Sequence, residues 1–392
     1  MKTPLNRFAI YLLALGAFVT GTAEFVVSGI LEIISADLHI SIAAAGQLIT
    51  VYSLSYAIGA LVLVMLTAKF NRKKVLMYAL LTFIAGNIVA LCSSNFGMLM
   101  LSRIILASSG GLYTVIATSY AARLASPQKQ GNAIATVITG FSVSLVLGVP
   151  FGTLIAAYLD WRYIYLIIAV VTLLNLLLLQ KFIPKFEGAS PVPLKQQLLL
   201  IKDKQVISGL ATTVFWILGY TMVFAYIAPM LSELAGFSIE MISSALLVLG
   251  VSAFIGSRFG GYAVDRWGPV RTILISLILH SATLFVLTST TASTVTLLMT
   301  IMIWGAATWT TTPANQFYLI SLRPQSSEVV LSFNTAFMNI GMTLGAGLGG
   351  IVIEYTNIQH MGWIGGITVL LAVVTASYSF GIGVRKRSQN IG

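Results

Sequence analysis

A carboxylate and a guanidinium stand inside long apolar runs of the sequence, where charge is rare. Glu24 lies in the run GTAEFVVSGIL, and Arg103 lies in the run LMLSRIILASSGG. A charge at the centre of an apolar membrane segment costs about 2.5–3.5 kcal/mol, so each side chain needs a partner, water or a function. One interpretation is that Glu24 takes up and releases a proton beside the positive charge of Arg103. The alternative is a static ion pair that only holds two helices together.

His280 is the second candidate for moving a proton, because a histidine side chain titrates near neutral pH. It lies in the middle of another apolar run, where a lone histidine is more often a hydrogen-bonded packing residue. The other acids lie in loops or near the ends of the apolar runs. Glu24 is therefore the acid that the sequence places to carry a proton through an apolar layer.

Aromatic and amide side chains are the candidates for holding a substrate, because planar rings stack on a heterocycle and amides hydrogen-bond to its edges. In the second half of the chain these candidates are Trp216, Tyr220, Trp309, Asn315, Asn334 and Asn339. In the first half they are Gln47, Tyr52 and Tyr113. For each residue alone, the alternative is an aromatic ring at the membrane interface or an amide that joins neighbouring helices.

The composition indicates that the apolar layer is a lipid bilayer. Of the 392 residues, 57% are hydrophobic and only 8% are charged, whereas soluble domains carry roughly 25% charged residues. The single cysteine, Cys92, excludes a disulfide scaffold and a cysteine-rich metal site. The net charge of +11 is spread along the chain rather than gathered with exposed aromatics, so we expect no nucleic-acid partner. The sequence predicts an all-α integral membrane protein.

Twelve apolar runs are each long enough for a transmembrane helix, which needs about 20 residues to cross about 30 Å of hydrocarbon. The runs are residues 7–30, 42–68, 75–93, 97–122, 131–157, 162–184, 206–231, 241–264, 271–290, 294–321, 328–353 and 360–384. Their continuity excludes porin-type strands, whose pattern alternates over about ten residues. The first run is too long for a cleaved signal peptide and contains Glu24.

The basic residues predict how the helices are oriented. Of the 22 Lys and Arg residues, 19 fall at the two termini and in alternate connections. Positively charged loops stay in the cytoplasm, so both termini are expected there. In this orientation Glu24 and Arg103 each lie about six residues from the outer end of a helix, and their side chains could meet.

The chain is expected to consist of two matching halves. A polar segment at 185–205 separates a six-helix bundle over 1–184 from a second over 206–392. The segments LGVPFGTLIAAY and LGAGLGGIVIEY share two glycines and a tyrosine at an offset of 197 residues, and the loops TAKFNRKKV and VDRWGPVRT align at the same offset. Duplicated six-helix units are typical of secondary transporters, which bind substrate near the bilayer midplane between the two halves.

The loop after the eighth run contains Asp265, Arg266 and Gly268 in the order D-R-W-G, preceded by Gly261. This pattern resembles the loop signature of the major facilitator superfamily, G-x-x-x-D-R-x-G-R. The matching loop of the first half, TAKFNRKKV, lacks the aspartate and keeps only basic residues. The resemblance implies a transporter with twelve transmembrane helices in two pseudo-symmetric bundles.

Further motifs resemble the drug–proton antiporters of that superfamily. Arg103 is similar to the arginine of their fourth-helix motif R-x-x-x-G, with Ala107 in place of the glycine. LGVPFGT is similar to their fifth-helix motif G-P-x-x-G-G, with Pro150 one residue late. The segment around Glu24 resembles the first helix of the sugar- and purine-efflux branch, and the whole chain resembles bacterial purine base and nucleoside efflux pumps.

Several residues are expected to support conformational change, because small side chains let helices approach and slide and proline interrupts a helix. These residues are Gly148, Pro150, Gly152, Gly345 and Gly349. We expect them to form moving contacts between the two halves. Asp265 and Arg266 are expected to brace the cytoplasmic gate through helix caps and ion pairs.

The sequence and the resemblance together predict a proton-coupled exporter that works by alternating access. Its expected partners are a small-molecule substrate, protons and the lipid bilayer, its expected location is the cytoplasmic membrane of a bacterial-type cell, and we expect a monomer. The implied substrates are purine bases or nucleosides; the alternatives are drugs or sugars, and a uniporter would make Glu24 structural.

A membrane sensor or scaffold is the rival from a different class. An enzyme is not expected, because a metal site or a catalytic cluster would need several His, Asp or Glu residues within the spans. Only Glu24 and His280 are of these types and lie there. The sequence contains no Walker loop, so we expect no cofactor and a proton gradient, rather than ATP, as the energy source.

Overall fold

The computed structural model describes residues 4–67, 69–125, 130–186, 202–323 and 327–389. Within these ranges the chain is helical and has no β-strand, in agreement with the predicted all-α class. The α-helices are α1 (Pro4–Gly29), α2 (Leu31–Asp37), α3 (Ile42–Leu66), α4 (Arg72–Leu91), α5 (Phe96–Leu124), α6 (Gln130–Val143), α7 (Val149–Tyr158), α8 (Arg162–Phe182), α9 (Lys204–Phe224), α10 (Ile227–Ala235), α11 (Ile239–Trp267), α12 (Pro269–Leu287), α13 (Thr294–Leu322), α14 (Ser327–Tyr355) and α15 (Met361–Gln389).

Twelve helical stretches in the described ranges are long and apolar enough to cross a membrane, which confirms the predicted number. They are α1, α3, α4, α5, the joined α6 and α7, α8, α9, α11, α12, α13, α14 and α15. The bilayer fixes the length of such helices, and this is why length and hydropathy suffice to find them.

The seventh predicted run, 206–231, is divided between two helices. α9 ends at Phe224, and α10 begins at Ile227 after Tyr226, whose φ of −118° and ψ of 22° depart from the helix. The Tyr226 hydroxyl donates a hydrogen bond to the Ala346 carbonyl at 2.8 Å. The sequence stays apolar through this break, so hydropathy gives no sign of it.

The two halves repeat the same order of helices at their starts. A long helix, α1 or α9, is followed after a short break by a short helix, α2 or α10. Leu31, the first residue of α2, corresponds at the offset of 197 to Ala228, the second residue of α10. The backbone therefore repeats the pattern that the paired sequence segments predict.

Side-chain caps begin three of the helices. The Asn71 and Asn95 side chains accept hydrogen bonds from backbone N–H groups at the starts of α4 and α5. Asp203 does the same at the start of α9, where its carboxylate accepts from Gln205 N at 2.8 Å. These caps satisfy N–H groups that would otherwise lack partners and so define where each helix starts.

The contacts divide the chain into two compact units. Unit 1 is Met1–Pro191 with Ser238–Leu247, and unit 2 is Val192–Phe237 with Val248–Gly392. The predicted bundles, 1–184 and 206–392, remain a prediction, and residues 187–201 of the predicted linker lie outside the described residues. The start of α11 belongs to unit 1, because the Ser243 hydroxyl donates to the Pro150 carbonyl at 3.0 Å.

Glycines bring the first long helix of each unit close to its neighbour. In unit 1, a π-helical turn over 144–148 joins α6 to α7, and a Cβ atom at Gly148 would lie 2.2 Å from Thr22 Oγ1 on α1. In unit 2, a Cβ atom at Gly345 on α14 would lie 2.6 Å from the Leu218 carbonyl oxygen on α9.

Gly152 and Gly349 also bring helices of the same unit close together. A Cβ atom at Gly152 would meet Val26 of unit 1, and one at Gly349 would meet Tyr226 of unit 2. The expectation that these glycines form moving contacts between the two halves stays a prediction, and all four of these close approaches lie within a unit. The physical reason is that a glycine lets two backbones pack tightly, and the tight pairs here are α1 with the α6–α7 segment and α9 with α14.

Candidate functional site

Arg103 is fully buried in unit 1 and donates its hydrogen bonds to backbone carbonyls. Its Nε donates to the Leu48 carbonyl at 3.3 Å. Its Nη1 donates to the Ala23 carbonyl at 2.5 Å, and its Nη2 donates to the Glu24 carbonyl at 3.2 Å. These carbonyls belong to α3 and α1, so Arg103 on α5 holds three helices together and keeps a fixed positive charge among them.

The Glu24 carboxylate lies close to this guanidinium without forming an ion pair with it. Glu24 is 7% exposed, and its Oε2 atom is buried and has no hydrogen-bond partner. The ion pairs of the described residues do not include a pair between Glu24 and Arg103. The static ion pair is therefore wrong as an account of this site: Arg103 bonds to the Glu24 backbone and leaves the carboxylate available.

Two tyrosines, Tyr52 and Tyr165, lie at the Arg103 guanidinium, and a third, Tyr56, lies beside Tyr52. The Cζ atom of Arg103 lies 4.1 Å from the centre of the Tyr52 ring, a cation–π contact. Tyr56, one turn along α3, has its ring 6.4 Å from that of Tyr52. The Tyr165 hydroxyl on α8 lies beside the same guanidinium. The Tyr52 hydroxyl is buried and has no partner among the described residues, so it is free to bond to a ligand.

The structure separates the other two candidates of unit 1 from this cluster. The Gln47 side chain donates a long hydrogen bond of 3.5 Å to the Ala43 carbonyl of its own helix. Tyr113 packs in the apolar core of unit 1, and its hydroxyl donates to the Leu13 carbonyl at 3.0 Å. The structure thus gives Tyr113 a packing contact, and its assignment to a substrate site stays a prediction.

In unit 2, a threonine joins two of the predicted amides. The Thr213 hydroxyl on α9 donates to Asn334 Oδ1 on α14 at 2.7 Å. It accepts from Asn315 Nδ2 on α13, also at 2.7 Å. All three side chains are buried. The sequence pointed to both asparagines but missed Thr213, because a threonine in an apolar helix is too common to stand out.

Aromatic rings of α9 and α13 lie against one another in unit 2. The Tyr220 ring stacks on Phe224 with a centroid distance of 5.2 Å and an angle of 12°, and it lies 5.3 Å from the Trp304 ring. The Trp309 indole lies beside the Tyr220 hydroxyl. The indole N–H groups of Trp216 and Trp304 are buried without partners among the described residues. The unit therefore offers ring faces together with unused donors.

Asn339 and His280 have unused polar atoms outside these two clusters. Asn339 Nδ2 donates to the Thr335 carbonyl at 2.9 Å, and its Oδ1 is buried without a partner. His280 on α12 is fully buried, and neither of its ring nitrogens has a hydrogen bond among the described residues. Nothing in the described residues holds a metal ion through three or more His, Cys, Asp or Glu side chains.

The predicted gate residues Asp265 and Arg266 are exposed at the end of α11. Arg266 Nη1 donates a hydrogen bond to the Tyr262 hydroxyl of its own helix at 2.8 Å. Within the described ranges Asp265 forms no ion pair and caps no helix. The expected brace is therefore absent from the described residues, where the turn instead ends at Gly268 with a positive φ of 79°.

Comparison with known proteins gives matches over nearly the whole chain. The family model described as Major Facilitator Superfamily matches residues 13–327 and 210–391. The Bacillus subtilis (strain 168) protein "Uncharacterized MFS-type transporter YbcL" is 40% identical over 375 residues, which are 96% of each chain. "Uncharacterized MFS-type transporter YtbD" of the same organism is 32% identical over 379 residues, 95% of this chain and 96% of that protein.

Two solved structures share the fold. A D-xylose–proton symporter has a TM-score of 0.80 at 18% sequence identity, with 94% of this chain and 97% of the other covered. A bacterial homologue of the human lysosomal transporter Spinster, inward-facing and unoccupied, has a TM-score of 0.73 at 15% identity, with 97% and 98% covered. At these identities the likeness concerns the fold alone.

Proposed function

The chain belongs to the major facilitator superfamily, and from this premise we propose that it is a proton-coupled exporter of purine bases or nucleosides. As a member of this transporter family it is a multi-pass membrane protein with a small-molecule substrate. The proposal places it in a bacterial cytoplasmic membrane, with both termini in the cytoplasm, as a monomer that works by alternating access.

The observation that carries the proposal is the free carboxylate of Glu24. An ionised carboxylate is costly to bury unless a positive charge or hydrogen bonds compensate it. Arg103 supplies a positive charge that its backbone bonds keep in place, while Glu24 Oε2 has no partner. The carboxylate can therefore gain and lose a proton without breaking the bonds that hold the three helices.

The substrate class is supported by the side chains of unit 2. Tyr220, Phe224 and Trp304 provide ring faces, and Asn315 and Asn334 provide amide edges. A purine has both a planar face and a hydrogen-bonding edge, so rings and amides together suit it better than either alone. Drugs and sugars are the competing substrates, and the experiment below distinguishes them.

The test uses the purified full-length chain in proteoliposomes with an acidic lumen. We expect accumulation of hypoxanthine and adenosine, loss of that accumulation when an ionophore collapses the pH difference, and no accumulation of xylose or of a lipophilic cation. Protein-free liposomes are the control. Accumulation of the sugar or the cation in place of the purines would contradict the substrate class. Purine accumulation that is unaffected by the ionophore would contradict proton coupling.

A further inference from the structure

Thr213 lies on the side of α9 that carries two of the aromatic candidates. Trp216 follows it by three residues and Tyr220 by seven, a spacing that puts all three on one face of a helix. The partners of Thr213 and Tyr220 on α13, Asn315 and Trp304, are eleven residues apart, which again is one face. The contact between α9 and α13 therefore has a polar pair, Thr213 with Asn315, and further along the helices an aromatic pair, Tyr220 with Trp304.

The single proton of the Thr213 hydroxyl determines what the two amides have left to offer. A threonine hydroxyl donates once, and each asparagine side chain has one carbonyl oxygen and one NH₂ group. Thr213 donates to the Asn334 oxygen and accepts from the Asn315 nitrogen. The remaining atoms are therefore the Asn315 oxygen, an acceptor, and the Asn334 nitrogen, a donor. Neither remaining atom has a hydrogen bond among the described residues.

This pairing is the same when both amides are turned round together. If both amides were turned round, the hydroxyl would donate to Asn315 and accept from Asn334. One acceptor and one donor would again remain, with their places exchanged. The hydroxyl of Thr213 therefore fixes a complementary pair of polar atoms on α13 and α14.

We propose that Thr213 is a positioning residue that holds Asn315 and Asn334 as an acceptor–donor pair for the edge of a heterocycle bearing an adjacent donor and acceptor. A 6-oxopurine has such an edge, because its ring N–H stands beside its carbonyl oxygen. The inference rests on the proposed function and deepens it by naming the edge that is recognised. Sugar hydroxyls both donate and accept, so they have no need of a fixed pair.

The experiment compares hypoxanthine with 1-methylhypoxanthine, in which a methyl group replaces the ring N–H. Binding of both compounds to the purified full-length chain is measured for the wild type, Thr213→Val and Thr213→Ser. We expect the wild type to bind hypoxanthine about tenfold more tightly than 1-methylhypoxanthine, because a tenfold ratio corresponds to the free energy of about one hydrogen bond. Thr213→Val removes the hydroxyl at constant shape and should abolish this preference, and Thr213→Ser should keep it.

Thr212→Val is the matched control, because it makes the same change one residue earlier. The Thr212 hydroxyl bonds to the Ser208 carbonyl and to Thr375 Oγ1 and touches neither asparagine. The Thr212→Val variant should prefer hypoxanthine over 1-methylhypoxanthine as strongly as the wild type does. If Thr213→Val fails to fold, Asn315→Leu provides the same comparison, since it removes one member of the acceptor–donor pair and should likewise abolish the preference for hypoxanthine.

The outcomes separate this inference from the proposed function. A wild type that binds purines, together with a Thr213→Val variant that keeps the full preference for hypoxanthine, overturns the role of Thr213 and leaves the function standing. A wild type that binds neither compound overturns the purine function itself. Loss of the preference in Thr213→Val, with retention in Thr213→Ser and Thr212→Val, supports the inference.

Discussion

Unit 1 and unit 2 repeat the same helices but carry different side chains where the first long helix meets the fourth. In unit 1 the Ala23 carbonyl accepts from Arg103. At the offset of 197, Ala23 corresponds to Tyr220, whose ring packs against Trp304. Arg103 corresponds to Thr300, whose hydroxyl only bonds to the carbonyl four residues earlier in its own helix.

Under the proposed function, this difference separates two tasks, the exchange of a proton and the recognition of a planar substrate. Unit 1 has a buried carboxylate beside a fixed guanidinium, a pair suited to a proton. In unit 2, threonines stand at the positions that match Glu24 and Arg103, namely Thr221 and Thr300. Its described substrate candidates are neutral amides and rings, a set suited to a planar substrate. Duplication of one helical plan allows this division, because the same helix contact can hold a charge in one copy and a ring in the other.

The largest expected effect comes from Arg103→Met compared with Thr300→Val at the matched position. Without the guanidinium, the ionised form of Glu24 is an uncompensated buried charge, which costs about 3–5 kcal/mol. That cost corresponds to a loss of more than about a hundredfold in proton-driven transport. Thr300→Val removes only a hydroxyl bonded within its own helix, and its transport should fall less than about twofold. Transport rates in proteoliposomes, normalised to folded protein, measure both.

Arg103→Lys serves as the control, because it keeps the charge but loses the planar fork that reaches three carbonyls. The transport rate of Arg103→Lys should lie between the rates of the wild type and of Arg103→Met. Equal losses in Arg103→Met and Thr300→Val would break the comparison, since the two units would then share the proton step.

The sequence located Glu24 and Arg103 because a charge in an apolar run is rare, and it located twelve helices because the bilayer sets their length. It did not show that Arg103 bonds to carbonyls instead of the Glu24 carboxylate. That choice depends on the depth and rotation of three helices to within an ångström or two, and spacing in a sequence does not fix these quantities. The same limit explains why Tyr113, an aromatic like Tyr52, lies in the core.

Residues that act through a partner on another helix were the ones missed. Tyr56 had a weak signal, since it follows Tyr52 by one helical turn. Thr213 and Tyr165 had none, because their roles arise only when α13, α14 or α5 pack beside them. The sequence therefore does not show which distant residues folding brings together, either at the site or at the glycines that pack within a unit.

An intermediate effect is expected from alanine at the glycine contacts of the two units. A Cβ atom at Gly152 would lie 2.3 Å from a methyl carbon of Val26, a side chain that can be trimmed. A Cβ atom at Gly345 would lie 2.6 Å from the Leu218 backbone oxygen, which cannot be removed. Each alanine variant should lose about 1–3 kcal/mol of stability. Val26→Ala should restore most of the loss for Gly152→Ala.

Thermal unfolding of the purified variants checks this difference. For Gly345→Ala, the variant Thr221→Ala should restore little, because the Leu218 backbone oxygen and the Thr221 Cβ atom that the new methyl group meets both remain. Full recovery of Gly345→Ala by Thr221→Ala would show that the two units pack their first helices in the same way after all.

The smallest effects are expected at the ion pairs of the two units. Arg162 of unit 1 bonds to Asp37 at 2.9 Å and lies 4.3 Å from the Trp161 ring centre, while Arg323 of unit 2 pairs with Asp203. Exposed ion pairs contribute about 0–1 kcal/mol. Arg162→Gln should cost about 0.5 kcal/mol more than Arg323→Gln, because it also loses a cation–π contact and the hydrogen bond from its Nε to the Ser93 carbonyl.

Thermal unfolding at low and high salt measures these two variants. Salt screens the ion pairs but not the contact with the Trp161 ring. In about 1 M salt, Arg162→Gln should therefore still lower the unfolding temperature, whereas Arg323→Gln should lower it little. A larger loss for Arg323→Gln under both conditions would contradict the ranking.

The central claim is that Glu24 carries the proton that is exchanged for substrate. The most direct test follows the lumen pH of proteoliposomes with a pH-sensitive dye while a hypoxanthine gradient is imposed. Glu354→Gln, the same chemical change at an exposed acid of unit 2, is the matched control. We predict that hypoxanthine flux moves protons in the wild type and in Glu354→Gln but not in Glu24→Gln. Proton movement in Glu24→Gln at the wild-type rate would contradict the account.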